Sequence, residues 1–167
     1  YSTGIRIGEA LALNLEDFHG AEECLYVAEG KFRKARWIPL SSSANKALQQ
    51  YVLRRVRMTP RALDSPMFLN PRKRRLRHCM MHQTFRRLLE QCGIPPNGDD
   101  KPRIHDLRHT FAVGRLLAWY RDGQDVNMRL PWLATYMGHV NICSTQVYLH
   151  ATSELMEQVD HRFRKHY

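Results

Sequence analysis

The sequence predicts a mainly α-helical domain with a small antiparallel β-sheet, an α+β fold. Three observations carry the prediction. Most of the chain places apolar residues three and four apart, the spacing that gives a helix one buried side. Two strand-like runs, Cys24–Val27 and Arg36–Leu40, flank a turn at Gly30, which reads as a hairpin. At 167 residues and 43% hydrophobic content, the chain can bury one core of ordinary size.

Taken in order, Thr3-Gly4 reads as a loop feeding a short helix. Ile7, Ala10 and Leu11 face inward, and Arg6 and Glu9 share another face, where a surface ion pair is the ordinary reading. The tip between the strands, Glu29-Gly30-Lys31-Phe32-Arg33-Lys34, is basic. Such a tip either carries a lysine to a ligand or protects a sheet edge by charge. Ser43–Arg57 is predicted helical, with Ala47, Leu48, Tyr51, Val52 and Val56 inward and Arg54, Arg55 and Arg57 in water. Thr59–Pro71 is a connection containing one brief apolar run, Met67-Phe68-Leu69.

Arg72-Lys73-Arg74-Arg75-Leu76-Arg77-His78 is the densest basic segment, either a grip on phosphates or a solvated loop. Gln83–Cys92 is predicted helical with Phe85, Leu88 and Leu89 inward, and Gly93–Gly98 ends it. A further helix opens near Arg103 with Asp106 in its first turn, continues through Val113, Leu116 and Leu117 on one apolar side, and ends near Tyr120. After a turn at Arg121–Asp125, Leu130–Met137 forms a short helix with Pro131 in its first turn, and Gly138 stops it. Ser144–His150 reads as helical. Leu155, Val159 and Phe163 then make an apolar stripe on a terminal helix, packed at home or against a neighbouring subunit.

Lys plus Arg number 26 against 16 Asp plus Glu, a formal charge of +10, which favours an anionic partner. The apolar and aromatic content excludes a disordered basic tail. Cys24, Cys79, Cys92 and Cys143 form no CxxC pair, so free thiols in a reducing cytoplasm are expected. No apolar run is long enough to span a bilayer, and no membrane partner is expected. His105 and Arg108, three apart, share a helix face. An imidazole beside a permanent cation suits an anionic oxygen, above all that of a phosphate.

The motifs then fall into an order. Arg6 and Glu9 stand in Thr3-Gly4-Ile5-Arg6-Ile7-Gly8-Glu9. Lys31 opens a run that continues through Lys34 and Arg36 to Pro39-Leu40. His105 and Arg108 stand in His105-Asp106-Leu107-Arg108-His109-Thr110-Phe111-Ala112. His139 follows Met137-Gly138, and Tyr148 lies nine residues on in Val147-Tyr148-Leu149-His150. In this order the set resembles the catalytic domain of the tyrosine recombinases, the phage integrase family, over nearly the whole chain.

The resemblance implies that family's catalytic-domain fold and roles for each matched residue. Tyr148 is the expected nucleophile, attacking a DNA phosphodiester to give a 3′-phosphotyrosyl bond and a free 5′-hydroxyl. Arg6 and Arg108 hold the non-bridging oxygens, Lys31 protonates the departing 5′ oxygen, His105 assists proton transfer at the nucleophile, His139 hydrogen-bonds the phosphate, and Glu9 supports the site. Arg33, Lys34, Arg72, Lys73, Arg74, Arg75 and Arg77 are expected on double-stranded DNA. A tetramer on two duplexes is implied, with the terminal stripe as a candidate contact, in the cytoplasm of a bacterium or mobile element at the nucleoid. Rejoining needs no ATP, and no metal or other cofactor is implied.

These residue types suit the chemistry. A phenol of pKa about 10 is a poor nucleophile at neutral pH. Adjacent cations and a base lower the cost of its ionised form. Taken singly, each residue has a plainer reading: Tyr148 as a core tyrosine, His139 as a helix-end residue.

Two departures from the family pattern stand out. Trp119–Arg129 reads as an insertion between Arg108 and His139. Nothing corresponds to the family's N-terminal DNA-clamping domain, so residues 1–167 read as a catalytic-domain fragment, expected alone to bind DNA weakly and recombine poorly. Three rival readings remain. His105 and His109 four apart suggest zinc, but Arg108 would set a cation against the metal. A type IB topoisomerase would use similar chemistry to relax DNA. A DNA-binding module would keep the fold without the activity.

Overall fold

The computed structural model describes residues 1–28, 35–58, 62, 64–94, 102–139, 145 and 148. Among the described residues, five α-helices, α1 (Ile7–Ala12), α2 (Ser42–Met58), α3 (His78–Gln91), α4 (Ile104–Arg121) and α5 (Val126–Met137), accompany a three-stranded sheet of β1 (Phe18–His19), β2 (Cys24–Val27) and β3 (Arg36–Pro39). The sheet is antiparallel in the order β1-β2-β3. Leu25 pairs with Ile38 and Val27 with Arg36, so these four share one face. Leu25, Val27 and Ile38 are buried on it. The opposite face carries Tyr26 and Trp37, whose rings meet at 4.8 Å. The predicted fold class is the observed one.

The core has two parts. Leu13, Leu25, Val27, Ile38, Leu40 and Met67 pack the sheet against α2. Ala112, Leu116, Val126, Leu130, Leu133, Met137 and Tyr148 join α4 to α5. Tyr136 packs against both clusters and stacks on Phe111 with ring centres 5.7 Å apart. The residues of interest below line the seam between these two clusters.

Several details differ from the sequence expectations, among them Ala47, expected inward but exposed. Arg55, expected in water, is 5% exposed. Its guanidinium donates to the Pro66 carbonyl and to Ser65 Oγ, fastening the connection onto α2. Helix α3 begins at His78 rather than Gln83; it has no buried residue, and Leu88, expected inside, is 51% exposed. Helix α5 begins at Val126 rather than Leu130, because Asp125 Oδ1 accepts from the Asn127 and Met128 N–H groups. Pro131 therefore lies inside the helix, where it leaves the Asn127 carbonyl without its usual donor; both residues are exposed, so water can serve instead.

Trp119–Arg129 is the end of α4, a turn and the start of α5, with Arg129 Cζ 5.7 Å from the centres of both the Trp119 and Trp132 rings. Cys24, Cys79 and Cys92 are free thiols, and Cys143 lies outside the described residues. Among the described residues no helix is long and apolar enough to cross a membrane. The predicted terminal stripe of Leu155, Val159 and Phe163 also lies outside them.

Candidate active site

Helix α1 presents Arg6 and Glu9 through its own first turn. Arg6 precedes the helix with extended backbone, and its N–H donates to Glu9 Oε2 at 3.0 Å. The Arg6 side chain bonds Glu9 Oε1 through Nη1 (3.0 Å) and the Gly138 carbonyl through Nη2 (2.9 Å). Glu9 is buried, at 6% exposure, so this is no surface ion pair. Arg36 completes its surroundings from β3, donating from Nη1 and Nη2 to the two carboxylate oxygens at 3.2 and 2.8 Å. Burial pushes the Glu9 carboxyl up. The hydrogen bonds from Arg36 and Arg6, with the charge of Arg36, outweigh that and hold it below the usual value.

Arg108 enters from α4 at 3% exposure. Nη1 donates to the Gly4 carbonyl and Nη2 to the Met137 carbonyl, both at 2.6 Å. Nη2 also meets His139 Nε2 at 2.9 Å. Arg108 Nε has no hydrogen-bond partner among the described residues. Burial, then the charge of Arg6, push the Arg108 pKa down to about 10, so it stays charged at neutral pH. Gly4, whose carbonyl Arg108 takes, needs to be glycine: its φ is +58°, and a Cβ there would collide with the Phe111 ring.

A guanidinium only donates, so His139 Nε2 accepts from Arg108, and the network assigns the imidazole proton to Nδ1. Nδ1 then donates to Thr145 Oγ1 at 2.7 Å. Burial first, then the charges of Arg108 and Arg6, hold the His139 pKa down at about 4. His139 is therefore neutral at pH 7.

Tyr148 occupies the same pocket, 4% exposed. Its ring stacks on that of His139 (6.1 Å, 24°) and meets that of His109 edge to face (5.1 Å, 67°). Burial pushes the phenol up. Arg108, by charge and by a side-chain hydrogen bond, and then Arg6 by charge, pull it back in part. His105 stands exposed at the rim, its ring 4.9 Å from that of His109. Burial, then the charges of His109, Arg108 and Arg103, hold its pKa below the ordinary value, which makes it a neutral base at pH 7. Among the described residues no three metal-ligating side chains cluster.

The structure thus brings together Arg6, Glu9, Arg108, His139 and Tyr148, with His105 at the edge. Lys31, Arg33 and Lys34 lie outside the described residues. The other basic run divides. Arg72, Lys73 and Arg74 form an exposed turn held by Asn70 Oδ1, which accepts from the N–H groups of Arg72 (2.9 Å) and Arg74 (3.0 Å). Arg77 is exposed at the start of α3. Arg75 instead turns inward, donating from Nη1 to the Leu11, Ala12 and Leu13 carbonyls and from Nη2 to Asn14 Oδ1. It satisfies the open C-terminal end of α1.

The Phage integrase family model matches residues 1–154. The chain belongs to the Phage integrase family. It is 36% identical over 165 residues to a Sinorhizobium fredii protein named as integrase/recombinase y4rB, covering 98% of this chain and 52% of that one. It is 30% identical over 154 residues to tyrosine recombinase XerC of Thermodesulfovibrio yellowstonii, covering 90% of this chain and 47% of that one. The solved XerA recombinase shares its fold at a TM-score of 0.77 and 27% identity, over 98% of this chain and 53% of that one. The chain spans about half the length of the curated relatives it matches.

Sequence reasoning on this integrase-family chain passed over Arg36, Thr145 and His109 as site residues. Strand alternation was a usable signal for the first, since Arg36 is in step with the buried Ile38 and Leu40. Spacing was a signal for the second, since Thr145 precedes Tyr148 by about one helical turn. The third stood in view beside Arg108 with no signal to say which ring it meets.

The neutral His139 makes a pH prediction. Its folded pKa of about 4 lies below the ordinary 6.5, so between those values the unfolded chain binds the extra proton. This contribution to stability is fully present above 6.5 and is lost as pH falls toward 4. Urea midpoints at pH 7.5, 6 and 5 should decline, and the decline should flatten in His139→Gln. A midpoint that does not move over that range would mean that the imidazole is not held neutral.

Proposed function

We propose that this chain is the catalytic domain of a site-specific DNA recombinase that cleaves and rejoins strands through a 3′-phosphotyrosyl intermediate. The observation that carries the reading is Tyr148, packed on His139 and under the charges of Arg108 and Arg6. Arg6 and Arg36 bond the Glu9 carboxylate and Arg108 lies close by on the Gly4 and Met137 carbonyls, so three guanidiniums and one carboxylate leave a net charge of +2 at the pocket. That surplus suits a phosphodiester, whose negative charge grows in the transition state.

The roles follow from the donors. Arg6 and Arg108 hold the non-bridging oxygens; Arg108 Nε, buried and without a partner among the described residues, has to be uncovered to serve one of them. His139 already accepts at Nε2, so binding a phosphate oxygen requires its proton to be relocated or its bond to Arg108 exchanged. His105 takes the phenolic proton, directly or through His109, and Lys31 protonates the departing 5′ oxygen. No metal is assigned a role. Rejoining reverses the exchange without ATP, because the phosphotyrosyl bond retains the energy of the one broken.

Double-stranded DNA is the proposed partner, contacted by Lys31, Arg33 and Lys34 at the hairpin and by Arg72, Lys73, Arg74 and Arg77 at the exposed turn. Assembly into a tetramer on DNA, with the 155–163 stripe as the contact, and a cytoplasmic, nucleoid-associated location complete the proposal. An apolar crevice of about 510 Å³ beside α1, α2 and α3, lined in part by Ala44, Leu48, Phe68, Phe85 and Leu88, is a suitable seat for such a stripe.

The test is covalent capture on a pool of duplexes nicked beside a randomised core. The short fragment released by cleavage diffuses away and traps the adduct. Protein–DNA adducts that survive denaturant are expected; their absence at every sequence, from a full-length version as well, would support a non-catalytic module, and relaxation of plasmids without exchange would support a topoisomerase. A second measurement checks the exposed turn. Neutralising Arg72, Lys73 and Arg74 together should lower the slope of log affinity against log salt, by up to about 0.9 for each phosphate that the turn no longer neutralises. An unchanged slope would remove that turn from the DNA interface.

A further inference from the structure

Arg36 carries more than a strand position requires. It faces inward from β3, with 10% of its side chain exposed. Nη1 and Nη2 take both Glu9 oxygens, and Nε donates to the Tyr136 carbonyl at 2.9 Å. One side chain therefore ties β3 to α1, which presents Arg6, and to the C-terminal end of α5, which presents His139. The backbone makes room for it. Gly138 has φ +67°, and a Cβ there would stand 2.8 Å from Arg36 Cζ.

The carboxylate of Glu9 has two guanidiniums to choose between. Arg36 takes it bidentately, the stronger geometry. Arg6 is left with a single side-chain bond to it, through Nη1, and is the more exposed of the two, at 22%. Without Arg36, a buried carboxylate at 5% side-chain exposure would have to draw its compensation from Arg6 and Arg108. Those are the two cations that face the phosphate.

We propose that Arg36 is a positioning residue for the phosphate site: by saturating Glu9 it keeps Arg6 available to the substrate and holds the pocket's net charge at +2. This rests on the recombinase reading for the identity of the phosphate as a DNA diester. Arg36 touches no reacting atom. It acts through Glu9 on Arg6 and through α5 on His139.

The test uses Arg36→Gln, Arg36→Lys and the double variant Arg36→Gln/Glu9→Gln. The double variant removes one charge of each sign and so restores the pocket's balance. Two readouts are taken: the single-turnover rate of adduct formation on the nicked pool, and the rise in melting temperature given by inorganic phosphate over chloride at equal ionic strength. Arg36→Gln should slow the adduct by roughly 10–100-fold, the range seen when the outer partner of a metal ligand is removed. It should also shrink the phosphate shift. Arg36→Lys should fall between, keeping the charge without the bidentate bond.

The double variant should recover both readouts relative to Arg36→Gln, an outcome that a merely structural role does not produce. Arg36→Gln matching the unchanged chain in both readouts, or a double variant as impaired as the single, would overturn the proposal. If neither the unchanged chain nor a full-length version forms any adduct, the recombinase reading fails. Arg36 is then judged on the phosphate shift alone, by the same ordering of variants.

Discussion

Tyr148→Phe forms no covalent adduct on nicked duplexes that trap the unchanged chain. The substitution keeps the ring, and with it the stacking on His139, the edge contact with His109 and the packing among α4 and α5 residues. Only the oxygen is removed, and with it the phenol whose ionised form the charge of Arg108 favours. With the packing kept, the stability cost should be about 1 kcal/mol, the centre of the range for single substitutions. The chemical cost is total, because no other atom at that place can form the ester. A denaturing gel of labelled DNA reads the adduct, and a urea midpoint shows that the fold survives. Adduct of undiminished yield in the phenylalanine variant would move the nucleophile elsewhere.

Arg108→Met should damage both folding and chemistry. Methionine roughly keeps the length of the side chain and gives up every donor. The Gly4 carbonyl then loses its partner at 2.6 Å, the Met137 carbonyl keeps only Arg36 Nη2 at 3.5 Å, and His139 Nε2 loses its partner at 2.9 Å. Each buried acceptor left open costs about 1–3 kcal/mol. Removing the charge also removes the largest influence opposing the upward push of burial on the Tyr148 phenol. Loss of a transition-state donor typically slows such a step ~100–1000-fold. Arg108→Lys should recover little, since one ammonium cannot span contacts made by two separate Nη groups. Urea midpoints and single-turnover rates measure the two effects separately. A methionine variant as stable and as fast as the unchanged chain would remove Arg108 from the centre of the site.

Local signals in the sequence were read well. The hairpin strands, the start of α4 after Arg103 and the stop of α5 at Gly138 each depend on neighbours within a few positions. The Asp106 carboxylate accepts from the Arg103 N–H at 2.6 Å, and Gly138 takes the left-handed conformation that a helix end needs. Errors gathered where a distant partner decides. Arg55 and Arg75 look alike as solvated cations in a basic sequence, yet each turns inward to meet carbonyls that their own helix or turn does not reveal. Leu88 looks buried by periodicity and stays outside because the face it occupies has no described neighbour to cover it.

For the candidate site, the family pattern in the sequence determined the residue types and their order along the chain, from Arg6 to Tyr148. Their convergence was a matter of tertiary structure. Arg6 reaches Gly138 across 132 positions, and Arg108 reaches Gly4 across 104. The supporting part of Arg36 depends on the same convergence, since its contacts to Glu9 and to the end of α5 exist only once β3 lies between them. Propensity and capping act over a few residues and can be read in one dimension. The charge balance of a buried pocket is set by side chains that only packing brings within hydrogen-bond distance.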